Sequence, residues 1–142
     1  MIKDVIIDIK TEQTVDSNTD KIEFTTDGRF GFKDGNYYIS YDESKILDVD
    51  GEIKTTLYVK PDNSIILHRK GAYNSRMVIE KGVRNNCFYA TPHGELSLGI
   101  FGEKVFWDLN THGGKISMKY TIDTDLQLLS RNSVNISIRE VI

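Results

Sequence analysis

The chain has 142 residues, of which 39% are hydrophobic and 27% charged, and its formal net charge is -3. This length is typical of one domain that buries roughly 68–70% of its unfolded surface, so we expect a single domain over residues 1–142. The small negative charge provides no overall field that would attract phosphate backbones or anionic lipids. Composition therefore gives no support for nucleic acid or membrane as a partner.

The N-terminal segment and the cysteine content indicate the subcellular location of the protein. Charges at Lys3, Asp4 and Asp8 interrupt the first apolar run, which stays shorter than the hydrophobic region of a signal peptide. No stretch approaches the roughly 18 apolar residues of a membrane helix. Cys87 is the only cysteine, which excludes an intrachain disulfide and fits a reducing compartment. We expect a cytoplasmic protein.

Alternation of apolar and polar residues begins at the N-terminus, where Val5, Ile7 and Ile9 share one parity. This pattern predicts a β-strand with one buried face. The polar stretch from Thr11 to Asp20 predicts a long loop. From Lys21 to Lys33 alternation returns over a long segment, and glycines at 28 and 31 could allow a sharp bend. We predict one bent strand there.

Further alternating segments follow at short intervals along the rest of the chain. Their inner-parity residues are Tyr37, Ile39, Tyr41; Ile53, Thr55, Leu57, Val59; Ile65, Leu67; Met77, Ile79; Leu96, Leu98, Ile100; Val105, Trp107, Leu109; Ile116, Met118, Tyr120, Ile122; and Val134, Ile136, Ile138. In the segment 86–91 the inner face is ambiguous, because Cys87 and Tyr89 compete with Phe88 and Ala90. The one candidate helix is a short turn near 42–47.

Short turn signals separate these segments. Asp34-Gly35 favours a tight primed turn, because glycine tolerates positive φ, and Pro61-Asp62-Asn63 suits a type I turn. Eight to eleven strands joined in this way predict an all-β fold, either a barrel or a sandwich. We favour a closed antiparallel up-and-down β-barrel, because closure removes the exposed strand edges.

Several motifs, in order and spacing, carry a resemblance to a known family. They are Tyr38-Ile39-Ser40-Tyr41-Asp42-Glu43, Thr55-Thr56-Leu57, Ser75-Arg76-Met77-Val78-Ile79-Glu80-Lys81-Gly82, Tyr89-Ala90-Thr91-Pro92-His93-Gly94 and Asn135-Ile136-Ser137-Ile138-Arg139-Glu140. Through them the chain resembles the YwiB-like family of small bacterial proteins. The resemblance implies a calycin-like, lipocalin-style barrel of unknown function and supplies no catalytic residue. True lipocalins carry a Gly-x-Trp on the first strand, whereas the only tryptophan here is Trp107, so no lipocalin specificity is implied.

The sequence shows no set of residues with the spacing needed to bind a metal or a cofactor. His68, His93 and His112 lie far apart, without the spacing of a ligand pair. The glycines at 94, 99 and 102 follow a strand pattern, with no helix behind them to direct amides at a phosphate. We therefore expect no metal and no cofactor.

Polar residues on the predicted inner parity suggest a binding site. The leading hypothesis is that a small apolar or amphipathic molecule lies in the barrel against Met77, Trp107 and Tyr120, oriented by Tyr41, Thr55 and Arg69. The alternative is a filled barrel, in which the threonine hydroxyl bonds to backbone, the tyrosine hydroxyls reach the rim and Arg69 lies near the barrel mouth.

Two other classes of function stay open at this point. One is an enzyme in which Arg69 holds an anion and a tyrosine or His93 acts as acid or base. The other is an interaction protein whose filled barrel presents a surface to a protein or RNA, one candidate being the basic face formed by five cations from His68 to Arg84. The sequence carries no signal for oligomeric state.

Overall fold

Ten antiparallel strands make up most of the computed structural model, which describes residues 1–43, 51–71, 74–91, 94–124 and 127–141. They are β1 (Ile2–Val15), β2 (Asn18–Lys33), β3 (Asn36–Asp42), β4 (Ile53–Val59), β5 (Ser64–Gly71), β6 (Asn74–Glu80), β7 (Arg84–Thr91), β8 (Gly94–Asn110), β9 (Gly113–Thr124) and β10 (Gln127–Glu140). Within these ranges no helix has the length and apolar character needed to cross a bilayer.

The sheet closes into a barrel because each strand pairs with the next and β1 also pairs with β10. The closing ladder is long, running from Val5 opposite Glu140 to Thr14 opposite Arg131. By contrast, β6 and β7 share two registered pairs among the described residues, Asn74 with Ala90 and Ser75 with Tyr89. The predicted closed up-and-down barrel is confirmed, and the sandwich alternative is wrong.

The predicted loop from Thr11 to Asp20 is wrong, because β1 and β2 continue through it as a hairpin. Asp16 and Ser17 form a two-residue turn with φ of 48° and 70°. Cross-strand pairs support the hairpin: the Thr14 and Thr19 hydroxyls lie 2.9 Å apart, and Lys21 Nζ lies 3.6 Å from Glu12 Oε1. Both faces are largely exposed here, so polar residues occupy both and the alternation is lost.

The structure also tests the predicted turn between β2 and β3, the continuity of β2 and the inner face of β7. Asp34 and Gly35 have φ of 54° and 81°, which confirms the tight primed turn between β2 and β3. The segment from Lys21 to Lys33 is confirmed as part of a single strand. In β7, Cys87 is buried and Phe88 is 63% exposed, so Cys87 faces inward. Of the candidate helical turn near 42–47, residues 44–47 lie outside the described residues.

The barrel interior is packed differently at its two ends. At the end with the Asp34-Gly35 turn, Phe30 stacks on Tyr37 at a centroid distance of 5.5 Å, and Trp107 lies 6.0 Å from Tyr37. We call Phe30, Tyr37 and Trp107 the aromatic end. The end with the Asp16-Ser17 turn contains a cavity, described below, and is called the cavity end.

Gly102 allows the turn after β6 to pack directly on β8, and this contact predicts a stability effect. A Cβ at Gly102 would clash with the backbone carbonyl of Glu80, and Gly82 N donates to Gly102 O at 2.8 Å. We expect Gly102→Ala to lower the free energy of unfolding by about 2 kcal/mol, because backbone must move. Urea unfolding followed by circular dichroism measures the change.

Gly99 is the matched control for this prediction. The atoms nearest to a Cβ there would be those of the Arg84 guanidinium, which pairs with Asp123 at 2.6 Å. Because a flexible, partly exposed side chain can move, Gly99→Ala should cost less than about 1 kcal/mol. Equal losses for the two variants would contradict the proposed role of Gly102.

Candidate functional site

A cavity of about 550 Å³ occupies the cavity end of the barrel. It reaches solvent beside the first hairpin, where Glu12 and Lys21 line it with side chains 54% and 73% exposed. Most of the deeper wall is apolar, because the inward parity of the strands carries aliphatic residues. The apolar wall comprises Ile9, Phe24, Leu57, Leu67, Met77, Leu98, Met118, Ile122, Val134 and Ile136.

Apart from residues of the first hairpin and the half-buried Asn132, four polar side chains interrupt this apolar wall, and we call Tyr41, Glu43, Arg69 and Tyr120 the polar cluster. Arg69 Nε lies 3.4 Å from Glu43 Oε1, and the two side chains are only 22% and 8% exposed. The Tyr41 side chain lies close enough to this pair to interact with both of its charges. The cluster is therefore a buried ion pair with two phenols in the same part of the cavity wall.

The protonation of the cluster follows from burial and from the ion pair. Burial raises the pKa of Tyr41 well above its ordinary value, and the Glu43 carboxylate raises it further. Burial also raises the pKa of Tyr120. Burial alone would lower the pKa of Arg69, but Glu43 and the two phenols outweigh it and raise that pKa. At neutral pH both tyrosines are hydrogen-bond donors and Arg69 is charged.

Strand register explains how Arg69 comes to lie beside buried hydroxyls. Tyr41 is opposite Thr55, Thr55 is opposite Arg69, and Arg69 is opposite Ser75. These residues form one inward row across β3 to β6. Thr55 Oγ1 and Ser75 Oγ are buried and have no hydrogen-bond partner among the described residues.

The structure brings together four of the six residues predicted to bind a ligand. Tyr41, Arg69, Met77 and Tyr120 all line the cavity. Thr55 lies next to Arg69 in the ladder and is fully buried, but it is not among the residues lining the cavity.

Trp107, the sixth predicted residue, does not lie at the cavity. It belongs to the aromatic end, and its Nε1 donates to Asn63 Oδ1 at 3.1 Å. Its place in the alternation correctly predicted that Trp107 faces inward, but alternation does not determine where along the barrel axis a residue lies. Trp107 therefore has no place in a site at the cavity end.

Glu43 is the functional candidate that sequence reasoning missed. It shares the parity of Ile39 and Tyr41, so a continued alternation would have pointed it inward. An acidic residue beyond the end of an alternating run is usually solvated, and this expectation hid it. The register of β3 with β4 and of β4 with β5 is what places it near Arg69.

Of the residues named in the enzyme hypothesis, Arg69 lies in the cavity together with Tyr41 and Tyr120. Burial raises the pKa of Cys87, which disfavours the reactive thiolate. The proposed acid or base His93 lies outside the described residues. Within the described ranges, no group of three or more His, Cys, Asp or Glu side chains is positioned to hold a metal ion.

The five cations between His68 and Arg84 do not form one uniform basic face. Arg69 points into the barrel and pairs with Glu43. Arg84 is bound to Asp123 through three contacts of 2.6 to 3.2 Å. The electrostatic argument for an RNA-binding face is weaker than the sequence indicated.

The buried phenol of Tyr41 predicts a dependence of stability on alkaline pH. Its raised pKa means that the folded state keeps a proton that the unfolded chain releases near pH 10. The resulting stabilisation is complete below pH 10 and is lost as the pH rises through the folded-state pKa. Each such group contributes a slope of up to about 1.4 kcal/mol per pH unit.

We therefore expect Tyr41→Phe to make the decline of stability above pH 10 shallower than in the wild type. Urea unfolding at several pH values between neutrality and the alkaline limit measures both slopes. Parallel slopes would show that Tyr41 ionises as readily in the folded as in the unfolded chain.

Fold and site together define a small closed up-and-down β-barrel with a solvent-reachable internal cavity. The chain belongs to the family described as a domain of unknown function (DUF1934), whose model matches residues 7–136. It is 28% identical over 116 residues to the uncharacterized β-barrel protein YwiB of Bacillus subtilis, covering 82% of this chain and 79% of that protein.

A solved structure supports the same fold. The crystal structure of YwiB from Bacillus subtilis matches with a TM-score of 0.87 at 24% identity, covering 99% of this chain and 94% of that one. The resemblance to the YwiB-like family is thus confirmed. These comparisons assign the family and the fold.

Proposed function

We propose that this barrel binds a small amphipathic molecule in the cavity. The apolar part would lie against Leu67, Met77 and Met118, and the polar part would contact Arg69 and its neighbours in the polar cluster. The observation that carries the proposal is a 550 Å³ cavity whose apolar wall is interrupted by one group of converging polar side chains. Ligand pockets in proteins have this size and composition.

The energetic cost of burying the ion pair favours a role in ligand binding over a purely structural role. Taking a carboxylate and a guanidinium out of water costs free energy that their attraction often only offsets, and apolar residues of similar volume stabilise equally well or better. The Arg69–Glu43 contact is single and 3.4 Å long, so its geometry is not that of a strong bidentate pair. A role in binding gives a reason for these charges to occupy an otherwise apolar wall.

Binding of the uncharged solvatochromic dye prodan tests the proposal. We expect saturable blue-shifted fluorescence with one dye per chain, and at least ten-fold weaker binding after Leu98→Trp. Leu98 is half-buried and lines the cavity, so a larger side chain there should obstruct it without disturbing the packed core. Native mass spectrometry of the protein purified from its source should also show a bound mass.

Trp107→Phe is the control for this experiment. Because Trp107 lies at the aromatic end, the substitution should leave dye affinity within two-fold of the wild type. An unsaturable response, or equal effects of Leu98→Trp and Trp107→Phe, would remove the cavity as the binding site.

We also propose a cytoplasmic location. Cys87 is a free buried thiol, and as the only cysteine of the sequence it leaves the fold without an intrachain disulfide. Cell fractionation should recover the protein with cytoplasmic markers, and recovery in an extracytoplasmic fraction would overturn this assignment.

A further inference from the structure

We infer that the polar end of the ligand is an uncharged hydrogen-bond acceptor, such as an amide or ketone carbonyl, and that an anionic group is disfavoured. This inference rests on the proposed binding function and specifies the chemistry of the ligand. It follows from two properties of the polar cluster: its charge is already balanced, and its hydrogen-bond donors outnumber its acceptors.

The charge balance comes from the pairing of Arg69 with Glu43. One cation and one anion lie 3.4 Å apart with exposed fractions of 22% and 8%, so the deep cavity carries no net charge from this pair. An anionic ligand would share one guanidinium with Glu43, and the two anions would repel each other where water screens poorly. A cationic ligand would meet the same difficulty with Arg69.

Other charged residues of the cavity do not alter this balance. Glu12 and Lys21 lie 3.6 Å apart and are more than half exposed, and Asp20 is exposed at the same mouth. Exposed charges are screened by solvent and ions, so they act weakly on a group held at Arg69. The Arg69–Glu43 pair therefore determines which ligand charge is accepted in the inner part of the cavity.

Donors are in surplus around Arg69. A guanidinium has five N–H donors, and among the described residues Arg69 donates a hydrogen bond only from Nε, to Glu43. The hydroxyls of Thr55 and Ser75 flank Arg69 in the ladder but lie outside the cavity lining, and neither is hydrogen-bonded to any described residue, so neither occupies the Arg69 donors.

The two phenols add further donors to the same place. Tyr41 and Tyr120 both line the cavity, and each phenol is close enough to Arg69 to interact with its charge. The Nη atoms of Arg69 are therefore available to an acceptor held in the cavity. A carbonyl oxygen offers two lone pairs there without bringing a second negative charge.

A matched pair of compounds tests the inference. Naphthalene carboxamide and naphthalene carboxylate, substituted at the same ring position, have nearly the same shape and differ in charge. At neutral pH, isothermal titration calorimetry should show that the wild type binds the carboxamide at least ten-fold more tightly. Carboxylate binding equal to or tighter than carboxamide binding would overturn the inference while leaving the cavity as a binding site.

Glu43→Gln should change this preference because it leaves Arg69 as an uncompensated cation. We expect the variant to bind the carboxylate at least ten-fold more tightly than the wild type does, with carboxamide affinity changed less than three-fold. Glu103→Gln is the control, since Glu103 pairs with Arg131 on the exposed surface and its loss should change neither affinity.

The outcomes separate the two proposals. If neither compound binds and prodan gives no saturable signal, the binding function itself is wrong. If prodan binds but the carboxylate is preferred, or if Glu43→Gln leaves the preference unchanged, only the account of the polar end is wrong. If Glu43→Gln fails to fold, the ratio of carboxamide to carboxylate affinity in the wild type decides whether the account of the polar end is right.

Discussion

Arg69→Met should lower the free energy of unfolding by about 3 kcal/mol, because it leaves the Glu43 carboxylate buried without its cation. Glu43 is only 8% exposed, so solvent compensates little for the lost partner. The methionine side chain retains much of the aliphatic length of arginine, which limits the contribution of lost packing. Urea unfolding followed by tryptophan fluorescence and circular dichroism measures the difference.

Two control variants identify the ion pair as the source of this loss. Arg131→Met removes a cation that is 63% exposed and pairs with Glu103, and it should cost less than about 1 kcal/mol. Adding Glu43→Gln to Arg69→Met removes the orphaned charge and should recover at least half of the lost stability. A double variant as unstable as the sum of the single ones would mean that the two side chains act independently.

Phe30→Ala should be the most destabilising single core truncation considered, at about 4 kcal/mol. Phe30 is fully buried and stacks on Tyr37, so its removal leaves a void that the closed barrel cannot collapse to fill. Thermal and urea unfolding should both show the loss, and the variant should retain the circular dichroism spectrum of a β-protein at low temperature.

Phe24→Ala is the matched truncation at the cavity end. Phe24 is half-buried and lines the existing cavity, 6.4 Å from the ring of Tyr41. Its removal enlarges space that is already open to solvent, so we expect a loss of less than about 2 kcal/mol. If Phe24→Ala proved as destabilising as Phe30→Ala, the two ends would not differ in packing as described.

The sequence predicted the strands well where one face is buried and the other is wet. The segment 115–123 alternates cleanly and forms most of β9, and Asp34-Gly35 predicted its turn because positive φ demands such residues. Prediction failed from Thr11 to Asp20, where both faces are largely exposed and alternation carries no information. There the strands are stabilised by cross-strand pairs and a two-residue turn, which a single-strand pattern does not reveal.

The sequence predicted which side chains of the candidate site point into the barrel, but not how far along the barrel axis each one lies. Parity correctly pointed Tyr41, Arg69 and Tyr120 inward, because it is a property of each strand alone. Depth along the barrel depends on the register between strands, so the sequence could not tell that Trp107 lies at the opposite end. Glu43 was missed because an acidic residue after an alternating run is usually solvated, and only the pairing of the strands shows that it lies near Arg69.

The methionines of the chain permit the most direct test of a ligand site in the barrel. Of the three, Met77 and Met118 line the cavity, while Met1 is 48% exposed at the N-terminus. With the methionine methyl groups labelled with carbon-13, titration with naphthalene carboxamide should shift the Met77 and Met118 resonances saturably, because an aromatic ring would lie against them. The Met1 resonance should stay in place as an internal control. Saturable shifts confined to the two cavity methyls are the predicted result, and shifts absent from both, or seen equally at Met1, would contradict a ligand site inside this barrel.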